Sequence, residues 1–325
     1  MICYFRHNVE FKLEGGKQFD SVQIAYHTFG TFKPGVKVVW VCHALTANSD
    51  VSDWWAGLFG KDRTLDPEKF FIVCANNLGS CYGTSFEPVV CDIAELPLIT
   101  TRDISQVHLL LMKHLKIDHI HMLIGGSQGG QIALEIAYLL KHSIKNMVLL
   151  ATNARHSPWG IAFNEAQRLA IESNAEDGIR AARAIAMLSY RNYEMYSRTA
   201  KEEDYEKLDE YGAVAYQRHQ AEKLKNRFDA ASYLMLSRAM DSHNLGRGRG
   251  DLASVLNRIQ IPTLLIGISS DILFPLTELQ FLEKHLCKAR LEVIDSDYGH
   301  DGFLTETSKI NQVIQAFMPI SKHTS

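Results

Sequence analysis

Residues 125–129, Gly125-Gly126-Ser127-Gln128-Gly129, form a G-x-S-x-G run. A short apolar stretch at 119–124 precedes the run, and residues 131–140 follow it with apolar side chains at helical spacing. Strand, sharp turn and helix are the setting in which such a serine becomes a nucleophile. The turn holds the serine in a strained conformation, the small neighbours let strand and helix approach, and the helix N-terminus favours developing negative charge. The chemistry this predicts is acyl transfer through an ester on Ser127.

A serine hydroxyl attacks only when a base takes its proton, and that base must be oriented by an acid. On a nucleophile elbow the chain order is serine, acid, histidine. Asp271 ends the apolar run 264–270, and His300 follows the next one, in Asp297-Tyr298-Gly299-His300-Asp301. Both fall at the strand ends that face the elbow. Asp295 and Asp297 are alternatives for the acid, but they lie on the approach to His300. The other thirteen histidines, His43 among them, read as surface, core or loop residues. Two backbone N–H groups should receive the oxyanion: that of Gln128, after the nucleophile, and that of Leu45, in the loop His43-Ala44-Leu45-Thr46.

These residues need a sheet to position them. Residues 36–42, 70–75, 147–152, 262–268 and 291–294 are short apolar runs, while residues 103–115 carry Ile104, Val107, Leu110, Leu111 and Leu115 on one helical face. Buried strands alternating with helices predict an α/β fold, with a mostly parallel central sheet covered on both faces. Residues 9–13 and 22–27, around Gly15-Gly16, predict an antiparallel hairpin at its edge. From about Arg155 to Gly250 the chain is helical and charged, without a convincing strand. The expected organisation is a core of residues 1–154 and 251–325 with an inserted helical cap, 155–250.

Composition narrows the class. A chain of 325 residues, 46% hydrophobic and 22% charged, suits a soluble enzyme with one large domain and a subdomain. A formal net charge of -3 gives no support for nucleic-acid or membrane-surface partners. No apolar run approaches the roughly 20 residues of a membrane span, and the first eight residues do not read as a signal peptide. Cys3, Cys42, Cys74, Cys81, Cys91 and Cys287 form no C-x-x-C pair, so most are expected to be reduced core residues. A cytoplasmic enzyme is the expectation.

Beyond the elbow, the chain contains His43-Ala44-Leu45-Thr46, residues 77–83 (NLGSCYG), Thr101-Arg102-Asp103, Ala162-Phe163-Asn164-Glu165 and Arg227-Phe228-Asp229-Ala230. It also contains Ser232-Tyr233, Ala239-Met240-Asp241, Gly246-Arg247-Gly248-Arg249-Gly250, residues 262–275 and Gly299-His300-Asp301-Gly302-Phe303. Over these segments, and most of its length, it resembles homoserine O-acetyltransferases of the α/β-hydrolase type, enzymes of methionine biosynthesis. The resemblance implies ping-pong transfer from acetyl-CoA to L-homoserine, with no metal or redox cofactor. It assigns Arg227 to the acceptor carboxylate, Asp301 to its ammonium and Tyr233 to substrate positioning. It also implies a homodimer formed through the cap. Without the resemblance, Arg227 reads as a surface helix residue and Asp301 as a helix cap. The 246–250 segment is either a cradle for CoA phosphate or a hinge.

Two departures stand out. Gln128 replaces the methionine or leucine usual after the nucleophile, placing a polar side chain beside the acyl site. Residues 84–98 are shorter than in relatives and are expected near the site's mouth. Both bear on substrate choice, so succinyl-CoA, serine, or water as acyl acceptor in an esterase are the competing readings. A catalytically silent binding protein is a further class, against which the intact Ser127, Asp271 and His300 stand.

Overall fold

In the computed structural model, residues 1–89, 93–174, 177–204 and 206–318 are described. The strands are β1 (Ile2–His7), β2 (Phe11–Lys12), β3 (Gln18–Phe19), β4 (Ser21–Phe29), β5 (Lys37–Cys42) and β6 (Phe70–Ala75). They continue with β7 (Ser85–Glu87), β8 (Met122–Gly126), β9 (Met147–Leu150), β10 (Thr263–Ile268) and β11 (Ala289–Ile294). One sheet runs in the order β1-β4-β6-β5-β8-β9-β10-β11, with β7 paired to β4. From β6 to β11 every pairing is parallel, whereas β1, β4 and β7 form an antiparallel edge.

The helices are α1 (Val51–Trp54), α2 (Thr101–His114), α3 (Gln128–Leu139), α4 (Pro158–Ser173), α5 (Gly178–Tyr190) and α6 (Tyr193–Thr199). After them come α7 (Gly212–Lys225), α8 (Ala230–Asp241), α9 (Leu252–Asn257), α10 (Leu276–His285), α11 (Gly302–Thr305) and α12 (Thr307–Phe317). Alternation along the strands explains why both sheet faces are covered. In β5, Val38, Trp40 and Cys42 join a cluster with Leu111 of α2, Ile132 of α3 and Leu279 of α10. The intervening Val39 and Val41 join Val51, Ile310 and Ile314 on the other face. Each such buried aliphatic side chain contributes roughly 1.5–3 kcal/mol relative to exposure.

Helix α2 starts where the sequence places a cap. The Thr100 side chain accepts from the Asp103 N–H, and the Asp103 carboxylate accepts from the Thr100 N–H in return, a reciprocal capping box. In α4, Ser157 caps the start and Pro158 sits in the first turn, where its missing N–H costs nothing. Between β9 and β10 every described element is a helix, α4 to α9. Of these, α4 to α8 form an insert whose two ends meet at one place. Arg155 bridges Asn244, the His156 N–H donates to the His243 carbonyl, and the Leu245 N–H donates to the Ala154 carbonyl.

Two expectations need correction. The edge hairpin is not formed by 9–13 with 22–27. Phe11–Lys12 pairs with Gln18–Phe19 as a separate two-stranded sheet, while β4 pairs with β1, from Ile2. Alternation identifies a strand but not its partner. The cysteines are not mostly core residues: Cys42 and Cys74 are buried, Cys81 and Cys287 are exposed, and Cys3 is intermediate. Cys91 lies outside the described residues. No described helix is long and apolar enough to cross a membrane.

Candidate active site

Ser127 sits between β8 and α3 with φ 56° and ψ -127°, a conformation that costs a non-glycine residue on the order of 1–3 kcal/mol. Its neighbours hold it there. The Ser127 N–H donates to the Leu150 carbonyl at 2.9 Å, and the Ser127 carbonyl accepts from the Thr152 hydroxyl at 2.8 Å. Gly129 is required because a Cβ there would run into the carbonyl of Cys42, at the end of β5. The first turn of α3 thus abuts the end of β5.

The His300 Nε2 lies 2.9 Å from the Ser127 Oγ, and its Nδ1 lies 2.7 Å from the Asp271 Oδ2. Asp271 follows β10, and its other oxygen accepts from the N–H groups of Leu273 and Phe274, at 2.8 and 2.9 Å. A carboxylate satisfied in this way holds the imidazole with its proton on Nδ1, leaving Nε2 free to take the serine proton. Phe274 stacks on the His300 ring at 5.1 Å, and Phe303 packs beside it at 5.2 Å. Gly299, at φ 60°, delivers the histidine, since a Cβ there would meet the Tyr190 carbonyl. The two other candidate acids are engaged elsewhere: Asp297 pairs with Arg198, and Asp295 accepts from Ser269.

Among the described residues, the N–H groups of Leu45 and Gln128 have no protein acceptor, although both residues are buried. Leu45 lines the 410 Å³ cavity into which Ser127 and His300 open. Buried donors without acceptors beside a nucleophile are suited to an oxyanion. The remaining wall brings together Arg183, Lys223 and Arg227 with the carboxylates Asp53 and Asp301. A larger groove of 870 Å³ opens at the opposite strand ends, by Lys37, His121 and Lys145, away from this chemistry.

The expected substrate residues are placed unequally. Arg227 lines the cavity, donating to the Thr46 carbonyl and to the Tyr82 hydroxyl at 3.0 Å. Asp301 lines it too, paired with Arg191 at 3.1 Å. Tyr233 does not: it is 1% exposed, its hydroxyl donates to Gln167 at 2.6 Å, and burial pushes its phenol well above the usual range. It lies behind Tyr190, which does line the cavity. The Gln128 side chain also turns away from the cavity. It is fully buried and donates to the Leu236 carbonyl of α8 at 2.7 Å, with its Oε1 unpartnered.

Residues 246–250 are not at the cavity either. Arg247 pairs with Glu14 and Arg249 with Glu135, so the segment is tied to the core by ion pairs. The described part of 84–98 lies at the antiparallel edge, where β7 pairs with β4 and the Glu95 carbonyl accepts from Lys17. Residues 90–92 are outside the described set. Sequence reading missed Arg183, which lines the cavity from α5 and whose Nε has no partner. No motif marks it, because its spacing from the triad is set by the fold of the insert. His43 is a loop residue, as read, and it is wholly buried, which the sequence did not mark.

A family profile described as the alpha/beta hydrolase fold matches residues 37–185. A homoserine O-acetyltransferase of Cyclobacterium marinum is 42% identical over 94% of this chain and 92% of its own length. One from Chlorobaculum tepidum is 38% identical over 97% and 94%. The crystal structure of homoserine O-acetyltransferase from Staphylococcus aureus superposes with a TM-score of 0.86 at 29% identity, covering 100% of this chain and 98% of that one.

Proposed function

The chain belongs to the homoserine O-acetyltransferase family of α/β-hydrolase-fold proteins, and from that premise we propose how its residues carry out the transfer. It moves the acetyl group of acetyl-CoA to the hydroxyl of L-homoserine by a ping-pong route. The Ser127 Oγ attacks the thioester carbonyl carbon while its proton passes to the His300 Nε2. The oxyanion is received by the Leu45 and Gln128 N–H groups. As the tetrahedral intermediate collapses, the C–S bond breaks and His300 returns the proton to the departing thiolate. Homoserine then enters, gives its hydroxyl proton to His300 and attacks the acyl carbon. The Ser127 oxygen leaves and regains the proton. None of these steps calls for a metal or redox cofactor.

The observation that carries the reading is the juxtaposition of Ser127, His300 and Asp271 with a cavity walled by both guanidinium and carboxylate groups. An amino-acid acceptor needs both signs; a neutral ester needs neither. Arg227 and the partnerless Arg183 Nε suit the carboxylate. Asp301 suits the ammonium, and Tyr233 supports Tyr190 from behind rather than touching substrate. The insert covers the acyl-serine and keeps water out, which a transferase needs more than a hydrolase does. The same reading carries a cytoplasmic setting and a homodimer through the insert, where Leu188, Tyr193 and Leu208 stand exposed. Light scattering of the purified protein reads the dimer directly.

The test gives purified protein acetyl-CoA with and without homoserine and follows free thiol. Sustained release is expected only with homoserine, and release independent of it would overturn the transferase reading in favour of a hydrolase. Parallel runs with succinyl-CoA and with serine fix donor and acceptor. Ser127→Ala should form no acyl-enzyme; an acetyl adduct mapped in that variant would remove Ser127 as nucleophile.

A further inference from the structure

We propose that His43 is a positioning residue for the oxyanion site, its buried ring anchoring the Ala44–Leu45 peptide to the end of the neighbouring strand. The inference rests on the reading in which the Leu45 N–H receives the oxyanion. His43 directly follows β5, and Asn77 follows β6, the adjacent parallel strand. The ring bridges the two. The Asn77 N–H donates to the His43 Nε2 at 2.9 Å, which leaves the ring proton on Nδ1, 2.8 Å from the Ala44 carbonyl oxygen. Asn77 returns a second contact, from its Nδ2 to the His43 carbonyl at 3.4 Å.

The consequence follows from peptide planarity. The Ala44 carbonyl and the Leu45 N–H are two ends of one trans peptide unit, so a donor held on the carbonyl fixes the direction of the N–H. A hydrogen bond on that carbonyl also polarises the amide and strengthens its N–H as a donor. The Ala44 carbonyl accepts a second bond, from the Ala47 N–H at 3.1 Å, which closes the turn 44–47. That bond shapes the turn but moves with it. The bridge through His43 ties the turn to the core. Burial holds the imidazole pKa down to about 4, so the neutral tautomer with one donor and one acceptor persists across the working range.

Three substitutions separate the two ring nitrogens. His43→Phe removes both bonds, His43→Asn keeps an amide donor near the Nδ1 position, and His43→Gln keeps an acceptor near Nε2. Each is tested with acetyl-CoA alone, reading the single-turnover thiol burst and its concentration dependence, alongside a thermal melt. Deleting one oxyanion donor costs roughly 100–1,000-fold in turnover, and a misdirected donor should cost less, roughly 10–100-fold. The expected result is a burst rate reduced by that amount in all three variants, since each breaks the bridge at one end or both. The half-saturating acetyl-CoA should stay within a few-fold, and His43→Asn, which keeps the donor but loses the tie to Asn77, should not restore the rate.

A burst rate in folded His43→Phe within threefold of the parent would overturn the inference. So would a near-parental rate in the Asn or the Gln variant, each of which severs one end of the bridge and remains informative if the Phe variant does not fold. Leu45→Pro deletes the N–H itself and tests the underlying reading separately. If its burst is normal, Leu45 is not the donor. If its burst is slow while His43→Phe is fast, only the role of His43 fails.

Discussion

At the level of single residues, the cavity contains two arginines in different states. Arg227 is already engaged by Thr46 and Tyr82, while the Arg183 Nε has no partner and its guanidinium lies 5.3 Å from the Tyr190 ring. An unpaired buried donor is costly, so a ligand carboxylate at Arg183 gains more than the contact alone. Arg183→Ala is expected to raise the half-saturating homoserine concentration roughly 10–100-fold, the worth of a charge-assisted bond. The acyl-enzyme burst should be nearly unchanged, and Arg183→Lys should recover little, because an ammonium lacks the planar fork. A burst that falls in parallel would assign Arg183 to the donor half-reaction or to folding. The triad was legible in the chain because serine, acid and histidine each follow an apolar run, in the order an elbow requires. Arg183 and His43 were not: neither is part of a periodic pattern, and their partners come from other elements.

At the level of elements, the elbow and the insert are joined by one side chain. Gln128 opens α3 and reaches the Leu236 carbonyl of α8, so the polar residue that looked like a determinant of substrate choice is a tether. Gln128→Leu loses that bond but also removes the unpartnered Oε1, and the two effects on stability should cancel to within about 1 kcal/mol. What should change is shielding. With the tether gone, slow thiol release after the burst, in acetyl-CoA without homoserine, is expected to rise several-fold. An unchanged rate would mean that α8 is held by apolar packing alone. Strand identity was readable from apolar runs, and α2, Thr101–His114, falls where the helical face at 103–115 predicts it. Partnership was not readable: β4 chose β1 over the nearer Phe11–Lys12, a choice made by sheet packing.

For the whole molecule, buried histidines dominate the expected response to acid. Burial pushes His43 and His156 down to about 4, and His108 and His243 down to about 3. The folded values lie below the unfolded one, so the unfolded chain binds more protons between about pH 6.5 and 4. Stability is therefore retained above that window and lost as pH falls into it, by about 1.4 kcal/mol per pH unit for each histidine fully out of register. Urea unfolding at pH 7, 6 and 5 should show a midpoint that drops steeply below 6. A flat profile would mean that these rings accept protons while folded. The carboxylates Glu14 and Asp66, held low by their ion-pair and hydrogen-bond partners, add their loss only at lower pH, as they protonate.

The narrow gate at Ala154–His156 and His243–Leu245 has a consequence for how this molecule can vary. Because the insert departs and returns through neighbouring backbone hydrogen bonds, everything between is a closed excursion whose ends the sheet does not need to move. Ser127, Asp271 and His300 lie outside that excursion, whereas Arg183, Tyr190, Lys223 and Arg227 lie inside it. The triad and the cationic groups of the cavity wall are thus written in separate stretches of chain, while Asp301 stays beside His300. Exchange of the stretch between the gate residues for that of a relative should change the half-saturating homoserine concentration, through the carboxylate contacts, and leave the acyl-enzyme burst rate unchanged.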